Sequence, residues 1–506
     1  MEEPVPRIRI EPVESANSFL KLTKKFGSDA PLKRIFQIVL LQDCKTVLVE
    51  NDYKDDDYEA EYESYYKHIF KPPPNKTERL HFFSCELKEN DIFELGNFQD
   101  KYLGFCVLRP FETQRVVIAV IKPVQDKNKP KRSFLLCIDR FPVKIEARPG
   151  NIQNLTVEGF PFMQQDGQYG RCAHVSLATI DRFLSFKSGK KPFLVSEIVE
   201  KAAKVPELQS EVPEPGLSPN QISLVLKEMG YKAVIYCYRQ NDRPRFSAER
   251  VIYHYMESKI PIMLGIKTEL GWHVVTVIGH SFEPDLWWAL AKREYFGWLP
   301  SGGQYHCSTT WIEGIIINDD NFGPYMTLPK WIISAIERTD LMVVVPLPLS
   351  VNVQGEDVEE KAFQLVYDKS VRQYIDSNMG ELQQETKDWC RLFLKHASNE
   401  DLVLRTYLLD SEEFKAHYPL AHLQNLYRII DMPSKIWLTE VSIPELFGTL
   451  RQRMGEIITD PTRSVRFGDT FLVLHLPGVL TIRDPQTGQR NYYTIPNDPP
   501  ISHLVR

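Results

Sequence analysis

Gln164-Gln165-Asp166-Gly167-Gln168-Tyr169-Gly170-Arg171-Cys172-Ala173-His174 reads as a loop that runs straight into a helix with a cysteine on its first turn. Gly167 and Gly170 break regular structure ahead of Cys172, whereas residues 173–184 contain neither glycine nor proline, so a helix is predicted to begin at or beside the cysteine. Ala173, Leu177, Ile180 and Leu184 follow the i, i+4, i+7, i+11 spacing of a buried stripe and leave Cys172 at its edge, the place of a side chain that lines a cleft. The positive end of the helix dipole and the free amide N–H groups of a first turn favour a thiolate there. A lone cysteine is more often a small buried hydrophobe than a nucleophile, so its partners decide the reading.

His174 is excluded as the base, because two helical positions swing it about 200° around the axis from Cys172. His273 is the better candidate: in Gly271-Trp272-His273-Val274-Val275-Thr276-Val277-Ile278 it opens a strand rich in β-branched residues. A further strand, Gly314-Ile315-Ile316-Ile317-Asn318, ends in Asp319-Asp320-Asn321, and a carboxylate at that end can orient an imidazole on a neighbouring strand. Asp319 comes first after the apolar run. Asp320 is the alternative, since a one-residue shift on a strand reverses the side chain, and Asn321 is a third choice.

A cysteine at a helix start, then a histidine opening a strand, then Asp or Asn ending the next strand, resembles the papain-like cysteine peptidase superfamily. Within it the chain is most similar to the bacteriocin-processing type that cleaves double-glycine leader peptides, over about residues 155–345. The resemblance implies an α+β fold with a helical half and an antiparallel sheet. It also implies a Cys172–His273–Asp319 triad that hydrolyses a peptide or isopeptide bond through an acyl-enzyme, with Gln165 donating to the oxyanion; Gln164 and Gln168 stay open as alternatives. A protein or peptide substrate and no cofactor or metal follow from it. Ala173 and His174 stand where many members carry glycine or tryptophan, and no ATP-binding or membrane-spanning portion accompanies the module, so the export role of some relatives is not expected. The same groups also serve acyl transfer or deamidation, and a papain-like module that only binds is the third class; candidates at every site position argue against the last.

The chain of 506 residues has room for about three domains. Residues 1–150 are expected to form a β-rich domain, with strands at 35–41, 46–49, 102–108, 115–121 and 133–138; the acidic run from Glu50 to Glu61 reads as a solvated loop. Residues 151–346 are the peptidase-like module. Within it Ser218-Pro219-Asn220-Gln221 is a capping box, Ser247 opens another helix, and strands at 261–266, 273–278 and 314–318 face the cysteine helix. Residues 347–506 read as an α+β domain with helices at 356–376 and 381–396 and strands at 436–441, 470–476 and 479–482. Between the last two module strands, residues 282–311 carry many aromatics and are either a lid or a packed excursion; Trp298 there and Trp272 beside the histidine are the candidate substrate contacts.

A net charge of −6 leaves no basic excess to neutralise phosphates, which argues against a nucleic-acid partner. The eight scattered cysteines read as reduced thiols, His306-Cys307 and Cys237 lack the paired spacing of a zinc site, and neither a signal peptide nor a spanning segment is evident, so a cytoplasmic protein is expected. Partner proteins are expected, if anywhere, on the flanking domains.

Overall fold

The computed structural model describes residues 7–13, 17–124, 133–166, 172–205, 216–239, 243–269, 271–283, 305–398, 401–463, 470–484 and 486–503. The chain is mixed α and β, and among the described residues it builds three seven-stranded sheets and a two-stranded one. No helix among them is long and apolar enough to cross a membrane.

The first sheet runs Arg7–Pro12, Thr46–Tyr53, Thr77–Phe83, Tyr102–Leu108, Val116–Ile121, Asn151–Phe162 and Asp139–Arg148 in spatial order. Tyr102–Leu108 is a central strand, as its apolar residues on both faces predict. Residues 35–41 are not a strand. They lie in the helix Ala30–Leu40, because Leu32, Ile35, Phe36 and Val39 keep i, i+3, i+4, i+7 spacing and are buried together, with Pro31 in the first turn. β-branched content is the weaker signal here and packing overrides it.

The acidic run is also not a solvated loop. Asp55 caps the helix Asp56–Ser64 by accepting from the amides of Asp57 and Tyr58 at 3.1 and 3.2 Å. Asp57 then pairs with Arg182, and Glu61 meets Arg109 in a two-pronged pair at 3.0 and 3.1 Å whose side chains are only 3% and 2% exposed. Arg109 also donates to the carbonyls of Val116 at 2.7 Å and Gln164 at 3.3 Å, so one guanidinium joins the acidic helix, the first sheet and the loop leading to Cys172. Arg109→Met leaves the Glu61 charge buried alone and is expected to cost about 3–5 kcal/mol in a denaturant titration, with much of the loss recovered in Arg109→Met/Glu61→Leu. Equal stability of Arg109→Met and wild type would mean that Glu61 is neutral in the fold.

The central sheet has the order Gly323–Pro329, Ile312–Asp319, Gly271–Phe282, Ile262–Thr268, Leu341–Pro348 and Tyr231–Tyr238. Ser133–Leu136 pairs with the far end of Gly271–Phe282, from Gly279↔Leu136 to Phe282↔Ser133. Ser218 accepts from the Gln221 amide while Gln221 returns a bond to the Ser218 amide, which fixes the start of Pro219–Glu228. Ser247 caps Ala248–Glu257 by accepting from the Arg250 amide at 3.4 Å. One apolar cluster continues from Leu32, Phe36 and Phe82 through Ile121 and Phe162 to Phe183, Val277 and Val343, so the first two sheets share a core.

The third sheet is built from Val403–Asp410, Lys435–Ser442, Gly455–Thr459, Phe471–Leu476, Val479–Arg483 and Arg490–Thr494, with His306–Cys307 added in parallel at the Val403 edge. Helices Gly355–Val366, Lys369–Asn378, Gln384–Ser398, Ser411–His417 and Ala421–Ile429 accompany it. Residues 284–304, the middle of the aromatic segment, lie outside the described residues, as does Trp298. The described ends of that segment pack on the third sheet and its helices: Tyr305 is buried against Phe363 and bonds Glu359 at 2.9 Å, and Trp311 sits on Phe447 with ring centres 4.6 Å apart.

Candidate active site

The helix Cys172–Lys187 begins at the cysteine. Ala173, Leu177 and Ile180 are buried in the adjoining core while Cys172 is half-buried at its edge. Across the helix–sheet contact, Thr276 donates to Ser176 at 3.1 Å and sets Gly271–Phe282 against the first turns of the helix.

His273 lies near the start of that strand, in register with Ile266. Its Nε2 lies 3.2 Å from Oδ1 of Asp319 and 3.8 Å from Oδ1 of Asp320, and its ring also hydrogen-bonds the Cys172 side chain. Burial by itself lowers the pKa of this imidazole, but the hydrogen bonds to Asp319 and Cys172 and the charges of Asp319 and Asp320 outweigh it and raise the value to about 10. The ring is therefore an imidazolium at neutral pH. Asp320 is pushed the other way for a carboxyl, up to about 7: burial and the neighbouring Asp319 charge disfavour its ionised form, and His273 only partly offsets them.

Asp319 ends Ile312–Asp319, and its carboxylate accepts from the Asn321 amide at 2.9 Å, which fixes the oxygen that faces His273. Asn321 has a second task. Its side-chain oxygen accepts from Gln165 Nε2 at 3.1 Å, tying the loop before Cys172 to the loop after Asp319. Gln164 is occupied elsewhere, buried with its side-chain oxygen on the Val116 amide at 3.0 Å. Gln168 lies outside the described residues. The structure thus brings Cys172, His273, Asp319, Asp320 and, through Asn321, Gln165 to one cleft and leaves Gln164 in the fold. Trp272 is the cross-strand neighbour of Lys267, whose ammonium stands 5.6 Å from the indole ring centre.

Residues far away in sequence hold both loops, and no local pattern marks them. Arg34 donates to the carbonyls of Pro324 at 3.3 Å and Tyr325 at 2.9 Å. Tyr325 in turn donates its hydroxyl to Ile121 and accepts from the Phe160 amide, each at 2.9 Å. At Gly323 φ is +118°, and a Cβ would stand 2.7 Å from Cβ of Arg34, so glycine is required for this close approach. On the other loop Tyr66 donates to the buried Asp166 carboxylate.

His273, Asp319 and Asp320 each offer a ligand atom, all within 4.8 Å of one another, a spacing that suits a metal ion. The same three groups can hold and move a proton, with His273 Nε2 on the Asp319 carboxylate.

No protein-family model matches the chain, and no curated protein matches it. Among solved structures it is similar to the peptidase domain of Streptococcus ComA, a bifunctional ABC transporter involved in quorum sensing. That likeness has 13% identity and a TM-score of 0.21 and covers 37% of this chain and 96% of that one. At those values it assigns the chain no activity, and the chemistry rests on the side chains themselves.

Proposed function

We propose that the chain is a papain-like cysteine peptidase that hydrolyses a peptide or isopeptide bond. The observation that carries this reading is a single imidazole, His273, engaged by the Cys172 side chain and by the Asp319 carboxylate at once. In the resting site His273 already carries the proton that Cys172 gives up, and Asp319 stabilises that imidazolium and fixes the ring. The thiolate attacks the substrate carbonyl carbon, and Gln165 and the backbone N–H of Cys172 receive the oxyanion. His273 then gives its proton to the leaving amine, and the amine departs from a thioester on Cys172. Water, deprotonated by His273, cleaves the thioester and restores the starting state. The first and third sheets recognise substrate or partner proteins in this reading.

The ion pair has a pH signature. Because the folded protein keeps His273 protonated up to about 10, the stabilisation from its partners is complete below the ordinary imidazole value of 6.5 and is lost as pH rises through about 10. The rate of Cys172 labelling by a vinyl sulfone, which needs the thiolate and a proton donor, is expected to hold through pH 8 and fall only near 10. Asp320→Asn removes a negative charge that is present above about pH 7 and should move this alkaline limb to lower pH. A limb near 6.5 in wild type, or no movement in Asp320→Asn, would remove the ion pair from the mechanism.

A further inference from the structure

A cavity of about 340 Å³ lies between the central and third sheets. His280 lies on its wall, seven residues along the strand from His273, or about 23 Å at 3.3 Å per residue, so the cavity is separate from the cleft. Its volume is that of a small-molecule site.

Three features of its walls point to one class of ligand. The first is aromatic surface: Phe282 and Phe447 stand with ring centres 6.3 Å apart, and Phe447 lies 4.9 Å from the His503 ring. The second is two guanidiniums facing the same space. Arg405 is held by Glu257, with Nε at 2.8 Å, and by Glu440 at 3.1 Å, while Arg451 stands over the Phe282 ring at 4.8 Å. Glu257, which also lines the cavity, and Glu440 offset the charge of Arg405, and burial with the neighbouring Arg405 lowers the pKa of Arg451, so Arg451 is the cation that an acidic group in the cavity would meet. The third is backbone conformation. Arg451 has φ +52° and ψ +49°, left-handed for a residue with a Cβ, and it closes the π-helical turn Leu446–Leu450. Such turns and such residues persist where the fold has a use for them, and here they place a side chain on the wall of the cavity.

We propose that this cavity binds a small aromatic anion, its ring against Phe282 and Phe447 and its acidic group on Arg451 with Arg405 behind it. The binding is independent of the peptidase reading. A nucleotide and an aromatic sulfonic or carboxylic acid share this chemistry, and calorimetric titration of the full chain with adenosine 5′-monophosphate and with naphthalene-1-sulfonate separates them. Saturable binding at one site is expected for at least one of the two; nucleotide binding identifies the nucleotide source, and binding of the sulfonate alone the aromatic acid. Sulfate and naphthalenemethanol, each with half of the chemistry, should bind at least tenfold more weakly. Arg451→Gly suits the left-handed backbone, so it should fold as wild type does and bind at least tenfold more weakly, with Arg451→Lys in between; Phe282→Leu should weaken the ring contact independently. Absence of saturable binding by both anions, or equal affinity in wild type, Arg451→Gly and Phe282→Leu, overturns the proposal.

Discussion

Cys172→Ala is expected to abolish labelling of the chain by a vinyl sulfone and to lower peptide hydrolysis roughly 10⁶-fold, the scale on which a hydrolase loses its nucleophile. Melting temperature and circular dichroism should stay with wild type, because Cys172 is only half-buried at a helix start and alanine suits that position. Labelling of new protein N-termini in cells carrying wild type against Cys172→Ala would then give both reaction and cleavage sequence. Seven further cysteines are present, at 44, 85, 106, 137, 237, 307 and 390, and burial pushes the thiols of Cys44, Cys137, Cys307 and Cys390 up to about 12. Stoichiometric labelling that survives in Cys172→Ala would place the reactive thiol elsewhere and end the peptidase reading.

The second large effect concerns the two adjacent carboxylates. Asp319→Ala is expected to slow vinyl sulfone labelling about 10²-fold or more, and Asp320→Ala by no more than about tenfold, within the range that proton-handling groups contribute. The difference follows from geometry: Asp319 stands 3.2 Å from His273 Nε2 and is itself fixed by the Asn321 amide, whereas Asp320 stands at 3.8 Å and is protonated below about pH 7. The reverse order of effects would show that Asp320 orients the ring.

Much of the site was legible because its determinants are local. Glycines before Cys172, a polar residue opening a β-branched strand, and carboxylates at the end of an apolar run are patterns of neighbours, and the structure brings Cys172, His273 and Asp319 together. The capping box at Ser218 was legible for the same reason. What could not be read depends on partners remote in sequence. The acidic helix Asp56–Ser64 looks like a solvated loop until Asp57 meets Arg182 and Glu61 meets Arg109, and the helix Ala30–Leu40 looks like a strand if β-branched content is weighed above spacing. Gln164 and Gln165 are equivalent by loop position, and only the Val116 and Asn321 contacts tell them apart.

Arg34, Tyr66 and Arg109 all lie before residue 151, yet they hold the loops that carry Asp319 and Gln165. A chain cut to begin at residue 151 would keep Cys172, His273 and Asp319 while losing these ties, and it would also lose Ser133–Leu136, baring part of the Gly271–Phe282 strand edge. The first 150 residues therefore behave as a jig clamped around the candidate site. Such a jig cannot be shed or exchanged for another module without loosening the geometry that it holds.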